Sequence, residues 1–387
     1  MRFERDALLR LRQQLRLHLP RIRRYARPVL RHGTPRKLAN ILLAEAELRL
    51  GKTVLRAYPY YYLIDICNVC NLRCPLCPTG IDTLGRVQGV MRFEEYRQIL
   101  DKVKRHALVV SLYNHGEPFL NKDIFTIIEY TARNNIGTNV SSNFNWPTPI
   151  DPKDIVRSGL EYVTVSLDGV TQESYQQYRV GGDIDEVFEN MKNLLAARKA
   201  LRSKTPFVEW QFIVFKHNEQ EIERARQLAA EWGVDLIRFV APAVQPELMD
   251  DPSAYERWMP EDPLYLERTP TIAADRGYIY DRNCFYLYRS MAIHYGGGVT
   301  PCCFTHERKF DFGDILHSTV AEIWNNHHYR SARMLFNRRQ PQGERLSVVC
   351  DFCPIFRQSG HRTCGVPSRS SVSDHVSLPP VAAGQAG

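Results

Sequence analysis

Between residues 60 and 240, segments typical of buried strands alternate with segments of helical periodicity. The strand segments are rich in β-branched and aromatic residues, and the segments between them repeat their apolar residues at helical spacing. Strands that alternate with helices form a parallel sheet with right-handed crossovers. Eight such units close a full barrel, so these six predict an α/β fold of the partial (β/α)6, TIM-like type. The predicted strands are residues 60–67, 107–114, 137–143, 162–169, 208–215 and 234–240.

The composition of the chain changes on both sides of this region. We predict a basic helical N-terminal arm at residues 1–57, the barrel at 58–241 and a Pro- and charge-rich linker at 242–282. Residues 283–365 hold six cysteines and a glycine hairpin, and we expect a small α+β domain there. Residues 366–387 are rich in Ser, Pro, Ala and Gly, which predicts a disordered tail.

The positive charge of the chain is concentrated near its start. Residues 1–40 contain twelve Lys or Arg and two acids, whereas the remaining 347 residues carry 39 basic and 41 acidic groups. Leu8, Leu11 and Leu15 recur at helical spacing, which predicts a basic amphipathic helix up to Pro20. Such a helix can pack on the domain through its leucines, or contact a membrane surface or another polyanion. We predict a peripheral membrane or anionic contact for the arm, and no nucleic acid.

Cysteine usage and hydropathy indicate the compartment. No apolar run approaches the roughly 18 residues that a membrane span needs. The N-terminus also lacks the continuous apolar core of a secretory signal. Ten cysteines in such a chain indicate a reducing compartment, where clustered thiols more often hold metal than form disulfides. We therefore expect a cytoplasmic protein, peripheral at the membrane if the arm binds there.

Four cysteines lie in the stretch DICNVCNLRCPLC, residues 65–77, directly after the first predicted strand. They are Cys67, Cys70, Cys74 and Cys77. All four could hold tetrahedral zinc, or all four could bind a [4Fe–4S] cluster. A third arrangement uses only the last three cysteines and leaves one iron open to another ligand.

The stretch CNLRCPLC resembles the cluster motif of the radical S-adenosylmethionine (radical SAM) superfamily, with Leu76 where the family often has an aromatic residue. The resemblance implies that Cys70, Cys74 and Cys77 bind a [4Fe–4S] cluster whose open iron binds S-adenosylmethionine (AdoMet). Reductive cleavage of AdoMet would then give a 5′-deoxyadenosyl radical. A low-potential donor such as flavodoxin or ferredoxin would supply the electron. Cys67 is left as a buried structural thiol.

Residues near the ends of the next three strands are similar to the AdoMet-binding positions of that family. They stand in the stretches NHGEPFL, VSSNFN, VSLDG and YRVGG. The resemblance implies contacts to the ammonium, carboxylate and ribose groups of AdoMet. The residues concerned are Gly116, Glu117, Ser142, Asn143, Ser166, Asp168 and Arg179. Carboxyl ends of parallel strands meet at one rim of a barrel, so we expect these residues to lie together.

The C-terminal cysteines include the hairpin HYGGGVTPCC and the pair CDFC. This region resembles the auxiliary-cluster extension called the SPASM or twitch domain. Ser359 stands where the full SPASM form has a cysteine, which favours the single-cluster twitch form. The resemblance implies a second [4Fe–4S] cluster with the ligands Cys284, Cys302, Cys350 and Cys353. A four-cysteine zinc site is the alternative.

Relatives with a twitch domain oxidise or epimerise sugars and aminocyclitols, and relatives with a SPASM domain largely modify peptides. Our leading hypothesis is a radical SAM oxidoreductase that dehydrogenates or epimerises a small polar metabolite of this kind. The alternative is a peptide maturase, and a zinc-dependent nucleic-acid-binding protein is disfavoured by the ordered strand-end motifs. Cys303 and Cys364 are candidate hydrogen donors. No catalytic base is assigned, although Tyr286, Tyr288, His294 and Glu209 lie near the relevant elements.

Overall fold

The computed structural model describes residues 26–242, 252–262, 265, 284–336 and 344–353 of the 387-residue chain. Three sequence expectations lie outside the described residues: the helix up to Pro20, the tail at 366–387, and Cys364. Most of the linker at 242–282 also lies outside them.

The described chain alternates strands with helices across the predicted barrel. Its strands are β1 Tyr61–Ile64, β2 Val109–Ser111, β3 Gly137–Ser142, β4 Tyr162–Ser166, β5 Phe207–Ile213, β6 Leu236–Val240, β7 Ser290–Ile293, β8 Gly298–Thr300 and β9 Gly313–Asp314. Its longer helices are α1 Pro35–Leu50, α2 Phe93–Val103, α3 Ile124–Arg133, α4 Pro152–Arg157, α5 Gln172–Tyr178, α6 Ile184–Ala200, α7 Ile222–Trp232, α8 Pro252–Trp258, α9 Tyr286–Arg289, α10 Val320–Trp324 and α11 His327–Phe336. No helix among them is long and apolar enough to cross a membrane.

All nine strands belong to one sheet, in the order β6-β5-β4-β3-β2-β1-β7-β8-β9. Strands β1 to β6 pair in parallel, each with its neighbour in the sequence, which confirms the predicted partial barrel. The cysteine-rich region adds to the same sheet, because β7 pairs in parallel with β1. Strands β8 and β9 then extend the edge in antiparallel pairing. The C-terminal region is therefore joined to the barrel through backbone hydrogen bonds.

The two faces of the sheet differ in polarity. On β4 and β5 the residues Val163, Val165, Val208, Trp210 and Phe212 are buried in the main hydrophobic core. Successive side chains of a strand point to opposite faces, so the residues between these lie on the other face of the sheet. Parallel strands packed on both sides are usually apolar throughout, and this alternation therefore marks a polar barrel interior.

The interior side chains bind one another. Tyr162 donates a hydrogen bond to Glu209, and the guanidinium of Arg238 donates to Glu209 Oε1 at 2.8 Å and to Gln211 Oε1 at 2.5 Å. Glu209 is fully buried, where an unpaired negative charge would be costly. The guanidinium of Arg238 compensates that charge. This network lies on β4, β5 and β6, beside the carboxyl ends that carry the predicted AdoMet residues.

Helix α1 lies across the amino-terminal end of the barrel. The Thr34 hydroxyl caps its first turn by accepting from Lys37 N, and Gly51 ends it with a left-handed φ of 66°. The buried Lys37 amine donates to Asn135 O at 2.6 Å, just before β3. Asn40 pairs with the backbone of Tyr58, just before β1. Polar contacts therefore hold this helix to the barrel.

Candidate active site

The loop after β1 and the carboxyl ends of β2, β3 and β4 enclose a cavity of about 190 Å³. Of the residues expected to bind the first cluster and AdoMet, all except Asp168 line it: Cys70, Cys74, Cys77, Gly116, Glu117, Ser142, Asn143, Ser166 and Arg179. Residues separated by more than 100 positions meet here because parallel strands bring their carboxyl ends to one rim.

The cysteine loop is a set of tight turns that direct three thiols into the cavity. Cys77 N donates to Cys74 O at 3.1 Å, and Arg73 N ties the loop to Val180 O at 3.0 Å. A Cβ atom on Gly80 would lie 2.6 Å from Cys74 N, so no larger residue fits at that position without moving the loop. Cys67 is different: it is buried, and its Sγ donates to Val69 O at 3.6 Å.

The surroundings of the three thiols fit an iron–sulfur cluster. Burial raises the pKa of the Cys74 thiol to about 12 and also raises that of Cys70. A thiol with a raised pKa stays protonated at neutral pH unless a nearby positive charge stabilises the thiolate. A bound metal cluster would supply that charge, since its ligands must be deprotonated. Cys70 Sγ accepts from Leu72 N at 3.4 Å and from Asn143 Nδ2 at 3.7 Å. Hydrogen bonds of this kind to sulfur tune iron–sulfur clusters, so the donor set fits the expected group.

Glu117 is a buried carboxyl group that already accepts two backbone hydrogen bonds. Its Oε2 accepts from Asn143 N at 2.7 Å and its Oε1 from Phe119 N at 3.1 Å. Burial raises its pKa to about 7. The preceding Gly116 packs so closely on the β1 loop that an added Cβ would lie 2.7 Å from Val69 O. Both residues therefore join the β2 and β3 ends to the cysteine loop, and their contact with AdoMet stays a prediction.

Ser142 and Ser166 end the neighbouring strands β3 and β4, and both line the cavity. Ser142 Oγ accepts from Phe144 N at 3.1 Å and from Trp146 Nε1 at 3.2 Å, so it also holds the turn after β3. Ser166 Oγ lies 3.2 Å from Ser141 Oγ. This pair of hydroxyls faces the cavity, where each can still exchange hydrogen bonds with a ligand.

Asp168 lies behind Arg179 and not at the cavity wall. Its Oδ2 accepts from Arg179 Nε at 2.6 Å and its Oδ1 from Ile213 N at 2.6 Å. Nη1 of the Arg179 guanidinium lies 3.8 Å from Cys74 Sγ. Asp168 therefore positions Arg179, which is the member of the pair that faces the cavity. Direct contact of Asp168 with AdoMet, as implied by the family resemblance, stays a prediction that this geometry does not favour.

A buried group of histidines that the sequence analysis did not single out as a set adjoins the cavity. His115, which lines the cavity, stacks on His294 at a ring-centroid distance of 5.9 Å. His294 Nδ1 lies 4.0 Å from Asp65 Oδ2. Among the described residues, Asp65 Oδ2, His115 Nε2 and His294 Nδ1 have no hydrogen-bond partner. The position of His115 directly before Gly116 was the available signal for its place in the site.

The protonation of this group is set by burial. Burial raises the pKa of Asp65 to about 7, and burial with the nearby His306 and Arg86 lowers that of His115 to about 3. The imidazole of His115 is therefore neutral at physiological pH. The pairing of β7 with β1 creates the group, because Asp65 N donates to Ile293 O at 2.8 Å and so brings His294 alongside.

The second set of cysteines gathers beyond the β7–β8 hairpin. Cys302, Cys284 and Cys353 each raise the pKa of Cys350, so the four thiols lie close to one another. Burial raises the pKa of Cys284 to about 12. Cys353 N donates to Cys350 O at 3.3 Å in the turn that carries both. The four expected ligands thus lie within electrostatic range of one another, and their binding of a second cluster stays a prediction.

The other residues that the sequence analysis considered lie in structural contacts. Cys303 is hydrogen-bonded with Tyr286 and is not among the residues that line the cavity. Tyr288 donates to Lys52 O at 2.9 Å, and Glu209 belongs to the interior network. Of the four candidate bases, only His294 lies in the group beside the cavity.

Two family models match the chain. Residues 64–229 match the radical SAM superfamily, and residues 284–354 match the iron–sulfur cluster-binding domain called SPASM. The first range covers β1 to α7, and the second covers the four C-terminal cysteines that gather beyond the hairpin. These matches confirm the family inferred from the cysteine motifs.

Two curated relatives each match less than half of the chain. The chain is 26% identical over 185 residues to GTP 3′,8-cyclase of Clostridium botulinum, which is 46% of this chain and 55% of that protein. It is 24% identical over 172 residues to the mycofactocin maturase MftC of Mycobacterium tuberculosis, which is 44% of this chain and 42% of that protein. The chain thus spans about half the length of these relatives.

The fold is similar to that of solved enzymes. SuiB of Streptococcus suis bound to S-adenosylmethionine superposes with a TM-score of 0.57 at 15% identity, covering 76% of this chain and 71% of that chain. The chain therefore belongs to the radical SAM superfamily and carries a C-terminal SPASM domain, so its cofactors are [4Fe–4S] clusters and AdoMet.

Proposed function

We propose that this protein is a radical SAM oxidoreductase that dehydrogenates or epimerises a small polar metabolite, such as a sugar or an aminocyclitol. The observation that carries the proposal is the cavity itself. It combines three thiols with Arg179, Asn143 and three serine hydroxyls, beside a polar barrel interior. Cys70, Cys74 and Cys77 would hold the AdoMet-binding cluster. When bound and reduced, the cluster and AdoMet supply a 5′-deoxyadenosyl radical that can remove a hydrogen atom from an unactivated carbon.

The residues of the cavity wall have defined roles in this proposal. Arg179, fixed by Asp168, offers positive charge for the carboxylate of AdoMet. The Asn143 side-chain amide donates a hydrogen bond to Cys70 Sγ and so would tune the reduction potential of the first cluster. The Ser141–Ser166 pair and the Glu209–Arg238 network offer donors and acceptors to a polyhydroxylated substrate. Glu117 and Gly116 keep the strand ends and the cysteine loop in register.

Oxidation of an alcohol carbon also needs a proton acceptor, and His115 is placed for this role. Its imidazole lines the cavity and is neutral. A proton taken from a substrate hydroxyl would form a new N–H bond on the ring while the bonding electron pair stays on oxygen. Burial lowers the pKa of His115 to about 3, and the Asp65 carboxyl behind the ring would, once ionised, offset this by favouring the added positive charge. Cys284, Cys302, Cys350 and Cys353 would hold an auxiliary cluster that accepts the electron, and flavodoxin or ferredoxin would reduce the first site.

A peptide maturase is the second candidate. It is favoured by the likeness of the fold to SuiB, which has also been solved with its precursor peptide SuiA at a TM-score of 0.55. At 16% identity this likeness supports the fold, and the substrate of SuiB does not transfer with it. The polar barrel interior favours the metabolite over the peptide.

The cluster assignment is tested by iron and sulfide analysis after anaerobic reconstitution. Wild type should hold about eight irons per chain, and the combined change of Cys70, Cys74 and Cys77 to Ala about four. The matched control is Cys67→Ala, which should keep about eight, because Cys67 is buried outside the cavity. Retention of all the iron in the triple variant would contradict the assignment.

The substrate class is tested through AdoMet cleavage. Formation of 5′-deoxyadenosine is measured in the reduced enzyme with panels of sugars and aminocyclitols, and separately with cysteine- and serine-containing peptides. We expect polar metabolites to raise the rate above the uncoupled level. In D₂O, a dehydrogenated product and an epimer differ, since an epimer gains a hydrogen atom from the protein. Stimulation by peptides alone would favour the maturase.

A further inference from the structure

Helix α1 buries a largely polar side and exposes an apolar side, which is the reverse of an ordinary surface helix. Surface helices usually turn an apolar stripe to the core and polar residues to water. In α1 the buried side is formed by Lys37, Asn40, Ala44 and Glu47. Glu47 accepts from Ala57 N at 3.0 Å, and Lys37 and Asn40 bind backbone groups of the barrel. Hydrogen bonds therefore contribute much of the contact that holds this helix in place, together with the packing of Ala44 and Leu48.

The outward side of α1 is correspondingly apolar. Leu42 is 71% exposed and Leu50 is 64% exposed. Leu38 lies one helical turn before Leu42 and is also exposed, as is Leu43. Leu30, in the helical segment just before α1, is 86% exposed. We call the four exposed leucines of α1 itself, Leu38, Leu42, Leu43 and Leu50, the α1 leucine face. Single exposed leucines are ordinary, but four within 13 residues of one helix mark a contact surface.

The charges beside the α1 leucine face are basic. Arg36 and Arg49 are exposed on the same helix. The two acids of α1 do not offset them, because Glu47 is buried and Glu45 pairs with Arg289 at 2.5 Å. The preceding residues 1–25 add eight arginines and two acids to the same end of the chain. Apolar side chains with a basic border are the pattern of helices that lie in the interface of an anionic membrane.

We propose that the α1 leucine face rests on the surface of an anionic lipid membrane and anchors the enzyme there without spanning it. Residues 1–25 of the same chain are the competing occupant. Their packing on this face would set their arginines beside Arg36 and Arg49, where like charges repel. Anionic headgroups neutralise both sets of charge.

The position of α1 also fixes how the barrel would face the membrane. The helix contacts Asn135 and Tyr58, which precede β3 and β1, so it lies at the amino-terminal end of the barrel. The cavity lies at the carboxyl ends of the strands. A membrane bound at α1 would therefore leave the cavity open to water-soluble substrates and electron donors.

The test is co-sedimentation of the reconstituted full-length protein with vesicles. One set of vesicles is phosphatidylcholine alone, and the other contains about one-third phosphatidylglycerol. We expect binding to the anionic vesicles only, and weaker binding at high salt. The combined change Leu38→Ser and Leu42→Ser should lower the bound fraction at least about tenfold, since two leucines leave the interface. The matched control is Val87→Ser, because Val87 is 70% exposed but lies in the cysteine loop region.

Thermal unfolding without vesicles separates this proposal from its competitors. The two serine substitutions stand at exposed positions. We therefore expect the variant to keep the melting temperature of the wild type while its binding to vesicles is reduced. A lowered melting temperature would mean that residues 1–25 cover the face, and would overturn the proposal. Equal binding of wild type and the double-serine variant, or no binding to anionic vesicles, would overturn it as well. A dimer that the serines dissociate would assign the face to a second copy of the chain instead.

Discussion

Arg179 and Asp168 form an ion pair in which one partner faces the cavity and the other is enclosed behind it. Arg179 Nε donates to Asp168 Oδ2 at 2.6 Å, and no part of Asp168 reaches solvent. The sequence stretches VSLDG and YRVGG present both residues as ligand contacts. The tertiary structure divides the work between them, with the carboxylate fixing the arginine and the arginine directed to the cavity and Cys74.

We expect Asp168→Asn to destabilise the protein and to weaken AdoMet binding. The change leaves the Arg179 charge without its buried partner, which costs about 3 kcal/mol in comparable pairs. The free energy of unfolding is measured in urea, and AdoMet binding by equilibrium dialysis. The matched control is Glu129→Gln, which breaks an exposed pair with Arg133 at 3.2 Å and should cost less than about 0.5 kcal/mol. Equal losses in the two variants would contradict a positioning role for Asp168.

The auxiliary site offers a second prediction. Cys350→Ser should leave about four irons per chain. The change removes one of the four expected ligands of the auxiliary cluster and leaves the first site untouched. Reductive cleavage of AdoMet without substrate should continue in this variant. Iron analysis and 5′-deoxyadenosine formation check both statements. Loss of all the iron together with cleavage would show that the two sites are not independent.

Gly116 is expected to tolerate no side chain. An alanine Cβ would lie 2.7 Å from Val69 O, and this neighbour is backbone of the cysteine loop that cannot rotate away. Gly116→Ala should therefore lower stability by about 1–3 kcal/mol and reduce the iron content. Gly233→Ala serves as the control, because nothing lies within 4 Å of it and only its φ of 75° is strained. That change should cost about 1 kcal/mol and leave the iron unchanged.

Asp65 predicts a pH dependence of stability. Burial raises its pKa from the ordinary value of 3.8 to about 7, so the folded state holds an extra proton between these values. Its contribution to stability is present below about pH 4 and is lost as pH rises toward 7. The neighbouring ionisable groups are Arg86, His115, His294 and Cys67. In Asp65→Asn the part of this slope that Asp65 contributes should disappear, and the part that Glu117 contributes should remain.

Denaturant midpoints at several pH values between 5 and 8 check this prediction, since about 7 is the raised pKa. At pH 8 the asparagine variant should be at least as stable as wild type, because it keeps the acceptor for His115 N and removes a buried charge. Glu117 also has a pKa raised to about 7 and remains in the variant as an internal reference. An unchanged slope in Asp65→Asn would mean that Glu117 alone produces it.

The sequence by itself determined the elements of the barrel, and it also supplied the candidate cysteine ligands. Alternating strand and helix periods are local, so they predicted six parallel strands that the structure confirms. The C-x3-C-x2-C spacing is also local, and it predicted three thiols that now share one cavity. The Gly-Glu, Ser-Asn and Ser-x-Asp motifs lie at or just after strand ends. The carboxyl ends of parallel strands meet at one rim, and this geometry brings the motifs together.

Other features were decided only by tertiary structure. Strand β7 pairs with β1 over 229 residues, from Tyr61 to Ser290, and no local pattern encodes such a partner. That pairing creates the Asp65–His294 contact. The roles of Arg179 and Asp168 depended on which side chain the cavity wall left exposed. The polarity of α1 was likewise decided by its surroundings, because the barrel offers it backbone acceptors and donors that favour Lys37, Asn40 and Glu47 and leave its leucines facing outward.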